Sequence, residues 1–438
     1  MGGRVVDRAR LESVFTFIGN EGSNPSPSGF SIPKNADPIG PSHVSLENTM
    51  DPFESYLSEQ LSELGAKGLR RDLKVIEGAA GTSITIGGQE LINFSSNDYL
   101  GLSSHPAIAE SMATAAQRWG NGSTASRLIC GTTGEHAALE RELAVAKETE
   151  AALVFSTGVA AATGTIPALV GRGDVIIMDK LTHACLIDGA HASGAKLRVF
   201  PHNDLEKFAS HLRWARETHP KGRILAITES VFSMDGDIVP LRQLIELKER
   251  YGAILLLDEA HAIGVRGVGA RGLAGELGLG NRIEIQMGTL GKALGVSGGY
   301  IAGTRVLVDF LINRARSFIF STAPSPAIAA ACRESLRIVQ SPEGDKRRAS
   351  LQENLRLLAA EMNMDVPPSA IVPLVLGSEE RALHEAARLQ EEGFFVPAIR
   401  YPTVPRNSAR LRVTLSASHT PEQIRQLARA LSNPGVQA

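Results

Sequence analysis

Short apolar runs recur through the middle of the chain at 151–155, 174–178, 197–200, 224–228, 253–257 and 283–287, each of strand length. Between several of them apolar residues return at helical spacing, as in 204–218 and 240–251. Fully apolar strands alternating with helices predict a mostly parallel sheet with helices on both faces. Upstream, Leu57, Leu61, Leu64 and Leu69 recur at helical spacing. Gly87-Gly88, set between 83–86 and 90–94, predicts a β-hairpin. Beyond about residue 325 a long helical stretch leads to strands near 369–376 and 410–415, the pattern of a second, smaller α/β lobe. No internal repeat is visible.

Composition narrows this picture. The 438 residues carry 45 Lys+Arg against 47 Asp+Glu, so there is no global basic field and a dedicated nucleic-acid binder is not expected. Cys130, Cys185 and Cys332 lie far apart with no CxxC pair, which excludes a dense disulfide framework and a zinc ribbon and suits a reducing cytosol. No apolar run approaches the roughly 20 residues that span a bilayer, so a cytoplasmic location without membrane contact is expected. Residues 1–50 are rich in Pro, Gly, Ser and Asn, lack an apolar signal-peptide core, and are expected to be a disordered extension. The 43 glycines exceed the usual share of about 7% and suggest close backbone approaches in several places.

Three segments fall at the ends of expected strands, where open α/β sheets bind ligands. Phe155-Ser156-Thr157-Gly158-Val159 is a strand, a small-residue turn and a helix start, whose N–H groups can hold a phosphate; it equally fits a plain strand–helix turn. In 252–261 an apolar strand delivers Asp258, with His261 three residues on. A buried carboxylate needs a cationic or hydrogen-bonding partner, and a protonated pyridine nitrogen would serve; a helix-capping acid is the other reading. In 288–299 Lys292 sits in a Gly/Ser-rich loop, where a poorly solvated amine has a lowered pKa and can attack an aldehyde, although an isolated lysine is more often a solvated surface group. Thr289 could add a hydroxyl to a phosphate.

The order phosphate turn, strand-end Asp, then Lys is that of fold-type I pyridoxal-phosphate enzymes. The segments 93–101 (NFSSNDYLG), 179–184 (DKLTHA), 228–237 (TESVFSMDGD), 258–264 (DEAHAIG) and 289–299 (TLGKALGVSGG) resemble the α-oxoamine synthase family, with a match from about residue 52 to the C-terminus. The resemblance implies an α/β fold-type I architecture: a segment 51–95 of helix and hairpin, a large cofactor-binding domain over 96–325 and a small C-terminal domain over 326–438. It implies pyridoxal 5'-phosphate as cofactor and no metal. Lys292 matches the Schiff-base lysine, Asp258 the partner of the pyridinium nitrogen, and His183 the imidazole stacked on the ring. His261 and Ser233 match groups near the ring's 3-oxygen, and Glu229 falls in the same cofactor-binding set. Gly158 and Val159 match the backbone pair beside the cofactor, the second position being more often aromatic in the family. Thr289 matches a phosphate ligand; Ser321 and Thr322, in FIFSTAPSP, match hydroxyls reaching the phosphate from a second subunit, which implies a homodimer with shared active sites.

Substrate positions follow from the same likeness. Arg412 matches the ligand of the amino-acid carboxylate. Arg400 and Thr403 match positions facing the acyl substrate, Arg70 matches an N-terminal arginine near it, and Asn97 falls in the same substrate-binding set. Arg at 400, followed by YPTVP, points to the members that condense L-alanine with a pimeloyl thioester, carried by CoA or an acyl carrier protein, in biotin biosynthesis. Another synthase using glycine or serine with a different acyl-CoA is the nearest alternative, and a catalytically silent dimer partner is a second. Other motifs carry less. Gly267-Val268-Gly269-Ala270-Arg271-Gly272 reads GxGxxG but does not link a strand directly to a helix. His202, His211 and His219 lack metal-ligand spacing and are expected on a solvated helix and its ends, while 206–207 and 246–250 read as helix surface charges.

Overall fold

A computed structural model describes residues 51–432; the extension expected over 1–50 lies outside the described residues. Two compact units divide between Arg70 and Arg71. In the first, the helix Pro52–Ala66 begins with proline, whose missing N–H is one the first turn would leave unpaired. Past its end the Arg70 N–H donates to Leu64 O.

The second unit opens with the expected hairpin, β1 (Ser83–Ile86) and β2 (Gln89–Asn93). The large sheet follows: β3 (Ala151–Phe155), β4 (Val175–Asp179), β5 (Lys196–Phe200), β6 (Ile224–Glu229), β7 (Ile254–Asp258), β8 (Ile285–Thr289) and β9 (Gly299–Gly303). A small lobe supplies β10 (Ile371–Gly377), β11 (Phe394–Phe395), β12 (Ala398–Ile399) and β13 (Ala409–Thr414). The seven strands run in the order β3-β9-β8-β7-β6-β4-β5. All pairings are parallel except those of β9, which is antiparallel to both neighbours.

Alternation explains the unbroken apolar runs. Along β4, Ile176 and Met178 enter one buried cluster with helix residues Ala161, Ile166 and Leu186, while Val175 and Ile177 enter another with Phe208, Leu212 and Leu244. β4 therefore buries both faces, as do the other inner strands, while the edge strand β5 buries fully only Phe200. A third core joins the lobe to residues ahead of the sheet, with Phe94, Tyr99 and Leu100 packed among Leu355, Ile371 and Leu411. There β10, β13 and β12 form an antiparallel sheet, and β2 takes β11 in parallel on its free side.

Two details differ from the expected elements. β9 has no counterpart among the predicted strands, because Gly299-Tyr300-Ile301-Ala302-Gly303 is short and bounded by glycines. Gly299 is what allows it to fit, since a Cβ there would lie 2.6 Å from Gly158 N and Cα; on the facing β8, a Cβ on Gly288 would meet the Tyr300 hydroxyl at 2.5 Å and its ring at 2.6 Å. Lys248, expected on a helix surface, is buried and donates to Glu284 at 2.6 Å, since its long stem crosses the face packed on the sheet. Among the described residues no helix is long and apolar enough to cross a membrane.

Candidate active site

The parallel strands bring their carboxyl ends to one edge. β4 ends at Asp179, β6 at Glu229, β7 at Asp258 and β8 at Thr289. Glu229 and Asp258 are direct register partners and both are buried. Burial and the neighbouring Asp258 hold the Glu229 carboxyl well above its ordinary range, and burial raises Asp258 as well. Asp258 Oδ1 accepts from Ala260 N at 2.8 Å, and Glu229 accepts from the His183 backbone N–H.

Lys292 lies in the link between β8 and β9. Its Nζ is 2.7 Å from His261 Nε2, and His261 Nδ1 is 2.5 Å from the Tyr99 hydroxyl. Tyr99 donates to Asn97 Oδ1 at 3.1 Å, and the same oxygen accepts from Arg412 Nη2 at 3.2 Å. Tyr99 has one proton and gives it to Asn97, so its oxygen accepts from His261 Nδ1–H and leaves Nε2 to accept from the Lys292 amine. Burial, reinforced by the nearby Lys292 charge, pushes the His261 pKa well below its ordinary value, which keeps the ring neutral. Burial also lowers Lys292, against the pull of Asp258 and Glu229. Tyr99 is pushed up to about 12 by burial and stays protonated.

Arg412 is buried on β13. Its Nε donates to Ser233 O at 2.7 Å and its Nη1 to Thr414 Oγ1 at 3.0 Å. With the bond to Asn97, this leaves one N–H on each terminal nitrogen, a pair that a carboxylate can accept side by side. His183 caps the helix Ala184–Ser193, its Nδ1 accepting from Cys185 N, and burial lowers its pKa. The Cys185 thiol, raised to about 12 by burial, is no nucleophile at neutral pH.

Gly158 opens the helix Gly158–Leu169, capped by Thr157, whose side chain accepts from Ala160 N. A Cβ on Gly158 would be 3.8 Å from the Thr289 side chain, so the two line one small space at a helix N-terminus. Thr289 Oγ1 donates to Gly298 O and accepts from Gly291 N. Val159 follows, half exposed at 51%.

A cavity of about 580 Å³ adjoins this cluster, lined by His183, Phe232, Ser233, Met234, Thr403 and Arg410 among others. Arg400 does not share that wall: it lines a second groove with Lys74, Gln390 and Phe395, while its carbonyl accepts from Thr403 N. Ser321 and Thr322 follow the short helix Arg316–Ile319, and Thr322 pairs with Ser126 in an isolated bridge. Arg70 belongs to the first unit, closing its helix.

Three groups at the site were not singled out from sequence. Tyr99 sits inside a recognised segment, but its partner His261 is distant in the chain. Asp235 pairs with Arg410, and nothing in their spacing shows it. His202, expected at a solvated helix end, lies in the turn before the helix Leu205–Thr218, with its ring between Asp179 and Asp237. The GxGxxG stretch is tied down by a buried ion pair: Lys147 binds both Glu259 and the Arg271 carbonyl.

The donor set fits pyridoxal phosphate. Two buried carboxylates stand side by side with no ion pair to either among the described residues, as a cationic ring nitrogen requires. A partly buried amine of lowered pKa faces the same edge, and a side-chain-free helix start with a hydroxyl suits a phosphate. Fold and site thus define a fold-type I pyridoxal-phosphate enzyme.

Residues 89–431 match the model of the aminotransferase class I and II family. The chain belongs to this family and, within it, to the α-oxoamine synthases. It is 45% identical over 384 residues to an 8-amino-7-oxononanoate synthase of Geobacter sulfurreducens, covering 86% of this chain and 97% of the relative. Among solved structures, serine palmitoyltransferase of S. paucimobilis, with PLP and myriocin bound, superposes with a TM-score of 0.81 at 28% identity, covering 87% of this chain and 97% of that one. An 8-amino-7-oxononanoate synthase of Francisella tularensis gives 0.66 at 30% identity, over 78% of this chain and 97% of that one.

Proposed function

We propose that the protein condenses L-alanine with a pimeloyl thioester, releasing carbon dioxide and the free thiol, to give 8-amino-7-oxononanoate for biotin biosynthesis. The observation that carries this reading is the unbroken chain from the Lys292 amine through His261, Tyr99 and Asn97 to the Arg412 guanidinium. It holds a base and a carboxylate ligand in fixed relation beside a pair of buried acids. The identity shared with 8-amino-7-oxononanoate synthases over most of the chain supports these substrates.

Asp258, Glu229, His183, His261, Ser233, Thr289 and the Gly158–Val159 backbone would hold the cofactor, with Lys292 bonding its aldehyde carbon. When bound, pyridoxal phosphate supplies an electron sink for the amino acid's α-carbon. Arg412 offers its two remaining N–H groups to the alanine carboxylate. Once freed from the aldehyde, Lys292 Nζ takes the α-proton, and His261 Nε2 accepts one of its N–H bonds and so aims the lone pair. His183 polarises the thioester carbonyl. Thr403, on the cavity wall, and Arg400 serve the acyl substrate.

The same reading makes the enzyme a homodimer in which Ser321 and Thr322 serve the partner's phosphate. Leu128, Ile129 and Phe320 support it: the first two, 50% and 79% exposed, lie on the helical turn Arg127–Gly131, which contacts the helix Arg316–Ile319, and Phe320, 71% exposed, directly follows that helix and precedes Ser321. Residues 96–325 would carry the cofactor and 326–438 the substrate-facing lobe. A silent dimer partner is disfavoured by the intact Lys292–His261–Asp258 set.

The test supplies L-alanine, glycine and L-serine separately with pimeloyl-CoA and measures thiol release and product mass. Product with alanine alone is expected; product with glycine or serine and not alanine overturns the assignment.

A further inference from the structure

His202 stands outside the groups assigned above, yet it touches two of the segments that form the substrate cavity. Its Nδ1 lies 3.0 Å from Asp179 Oδ1 and its Nε2 lies 2.7 Å from Asp237 Oδ2. Asp179 ends β4 and starts the turn 180–183, whose residues line the cavity up to His183. Its carboxylate also accepts from Leu181 N and Asn203 N, both at 2.8 Å. Asp237 closes the turn 232–237: its carbonyl accepts from Phe232 N, and Phe232, Ser233, Met234 and Asp235 line the same cavity. The adjacent Asn203 amide donates to Asp237 Oδ2 at 2.9 Å, and the Phe232 ring stands perpendicular to the imidazole at 4.3 Å.

The second turn is also where the lobe is held. Asp235 pairs with Arg410, the Ser233 carbonyl takes Arg412 Nε, and a Cβ on Gly236 would meet Ile371 O at 2.2 Å. A shift of this turn would therefore move the carboxylate-binding Arg412 and the cavity wall together.

We propose that His202 is a positioning residue: by bridging Asp179 and Asp237 it fixes the turn that carries His183 relative to the turn that seats Arg412, and so sets the width of the acyl cavity. Both partners are carboxylates, which can only accept, so the ring must donate from both nitrogens and is an imidazolium. Burial alone would lower its pKa, but the hydrogen bonds and charges of Asp179 and Asp237 outweigh this and raise it to about 10. The bridge is therefore charged throughout the neutral range. Misplacing a cavity wall costs binding and orientation of the substrate before it costs folding.

The proposal rests on the proposed reaction only for its kinetic arm. Histidine-selective ¹⁵N labelling of the holoenzyme at pH 8 is expected to show both His202 ring nitrogens protonated, and Asp237→Asn to lower the titration midpoint by more than one pH unit. A neutral His202 at pH 8 overturns the bridge without any turnover being measured. For His202→Gln and Asp237→Asn, with rates expressed per bound cofactor, the KM for pimeloyl-CoA should rise roughly tenfold while kcat changes less than about threefold. His211→Gln, in the helix Leu205–Thr218 that follows, should change neither. Unchanged KM in both variants, with a lower yield of folded holoenzyme, makes His202 merely structural and overturns the proposal; Asp237→Asn alone decides if His202→Gln does not fold. Wild-type enzyme without turnover on alanine and pimeloyl-CoA sinks the substrate reading instead, and the ring-protonation result still decides the bridge.

Discussion

Lys292 Nζ donates to His261 Nε2 across 2.7 Å, and that imidazole is itself held by the Tyr99 hydroxyl. The amine thus has a fixed neighbour that can take its proton's hydrogen bond without taking its charge, because burial keeps His261 neutral. Lys292→Ala should fold and still bind pyridoxal phosphate non-covalently, while turnover falls by roughly 10³-fold or more, the scale of losing a base and a covalent anchor. Borohydride treatment followed by mass spectrometry should add the cofactor's mass to wild type and not to the variant. Retained turnover would remove Lys292 from the reaction.

Tyr99→Phe deletes one oxygen and leaves His261 Nδ1 and one lone pair of Asn97 without partners. A buried unmet donor costs about 1–3 kcal/mol, so chemical unfolding should show a loss of that size. Turnover should drop by roughly tenfold as the Nε2 lone pair loses its aim. Equal stability and turnover in both proteins would mean the hydroxyl holds nothing.

How much of this was legible follows from where each signal lies in the chain. Asp258 was readable because an apolar strand ending in an acid is a local pattern, and Lys292 because its surroundings are uniformly small and uncharged. β9 was hidden because its flanking glycines imitate a loop, although they are what lets Gly299 lie against Gly158. His202 was misplaced because its two carboxylates arrive from turns 23 and 35 residues away. The family likeness marked Arg400 and Thr403 as a pair on the acyl side, whereas their side chains line different grooves. Neighbours in sequence need not face the same way at the end of a strand.

Gly158 and Gly299 separate two kinds of close approach. Gly158→Ala places a Cβ in ordinary contact with Thr289, so its thermal midpoint should stay near wild type. Its affinity for pyridoxal phosphate, measured by absorbance titration, should weaken by roughly tenfold if that space belongs to the phosphate. Gly299→Ala drives a Cβ into Gly158 backbone at 2.6 Å, which cannot yield as a side chain can. It should lose about 1–3 kcal/mol even without cofactor.

Acid should weaken the lobe through His419. Burial lowers this histidine to about 4, while Asn93 O and Ser416 N fix its two nitrogens. The unfolded chain takes up the proton near pH 6.5 and the folded chain only near 4, so the contribution is complete above 6.5 and is lost as pH falls through that window. The loss is about 3 kcal/mol at the lower end. Urea unfolding at pH 7.5 and pH 4.5 should show a smaller difference in His419→Gln than in wild type; equal differences would assign the acid sensitivity elsewhere.

A shared active site predicts complementation. Lys292→Ala and a Ser321→Ala/Thr322→Ala double variant should each be nearly inactive alone. After co-refolding, mixed dimers with one intact site should restore roughly a quarter of wild-type turnover. No recovery, with exchange of subunits shown by native mass spectrometry, would place those hydroxyls outside the partner's site.

The reversal of β9 has a kinetic meaning. Because β8 and β9 stay paired to Thr289↔Gly299, the link carrying Lys292 is a short closed ring, cinched by the Leu290 N to Gly298 O and Val296 N to Leu290 O bonds. Little chain entropy remains there to be lost. An arriving aldehyde meets an amine already standing in place, so capture of the cofactor should proceed as one bimolecular phase, with no slower ordering of the loop behind it.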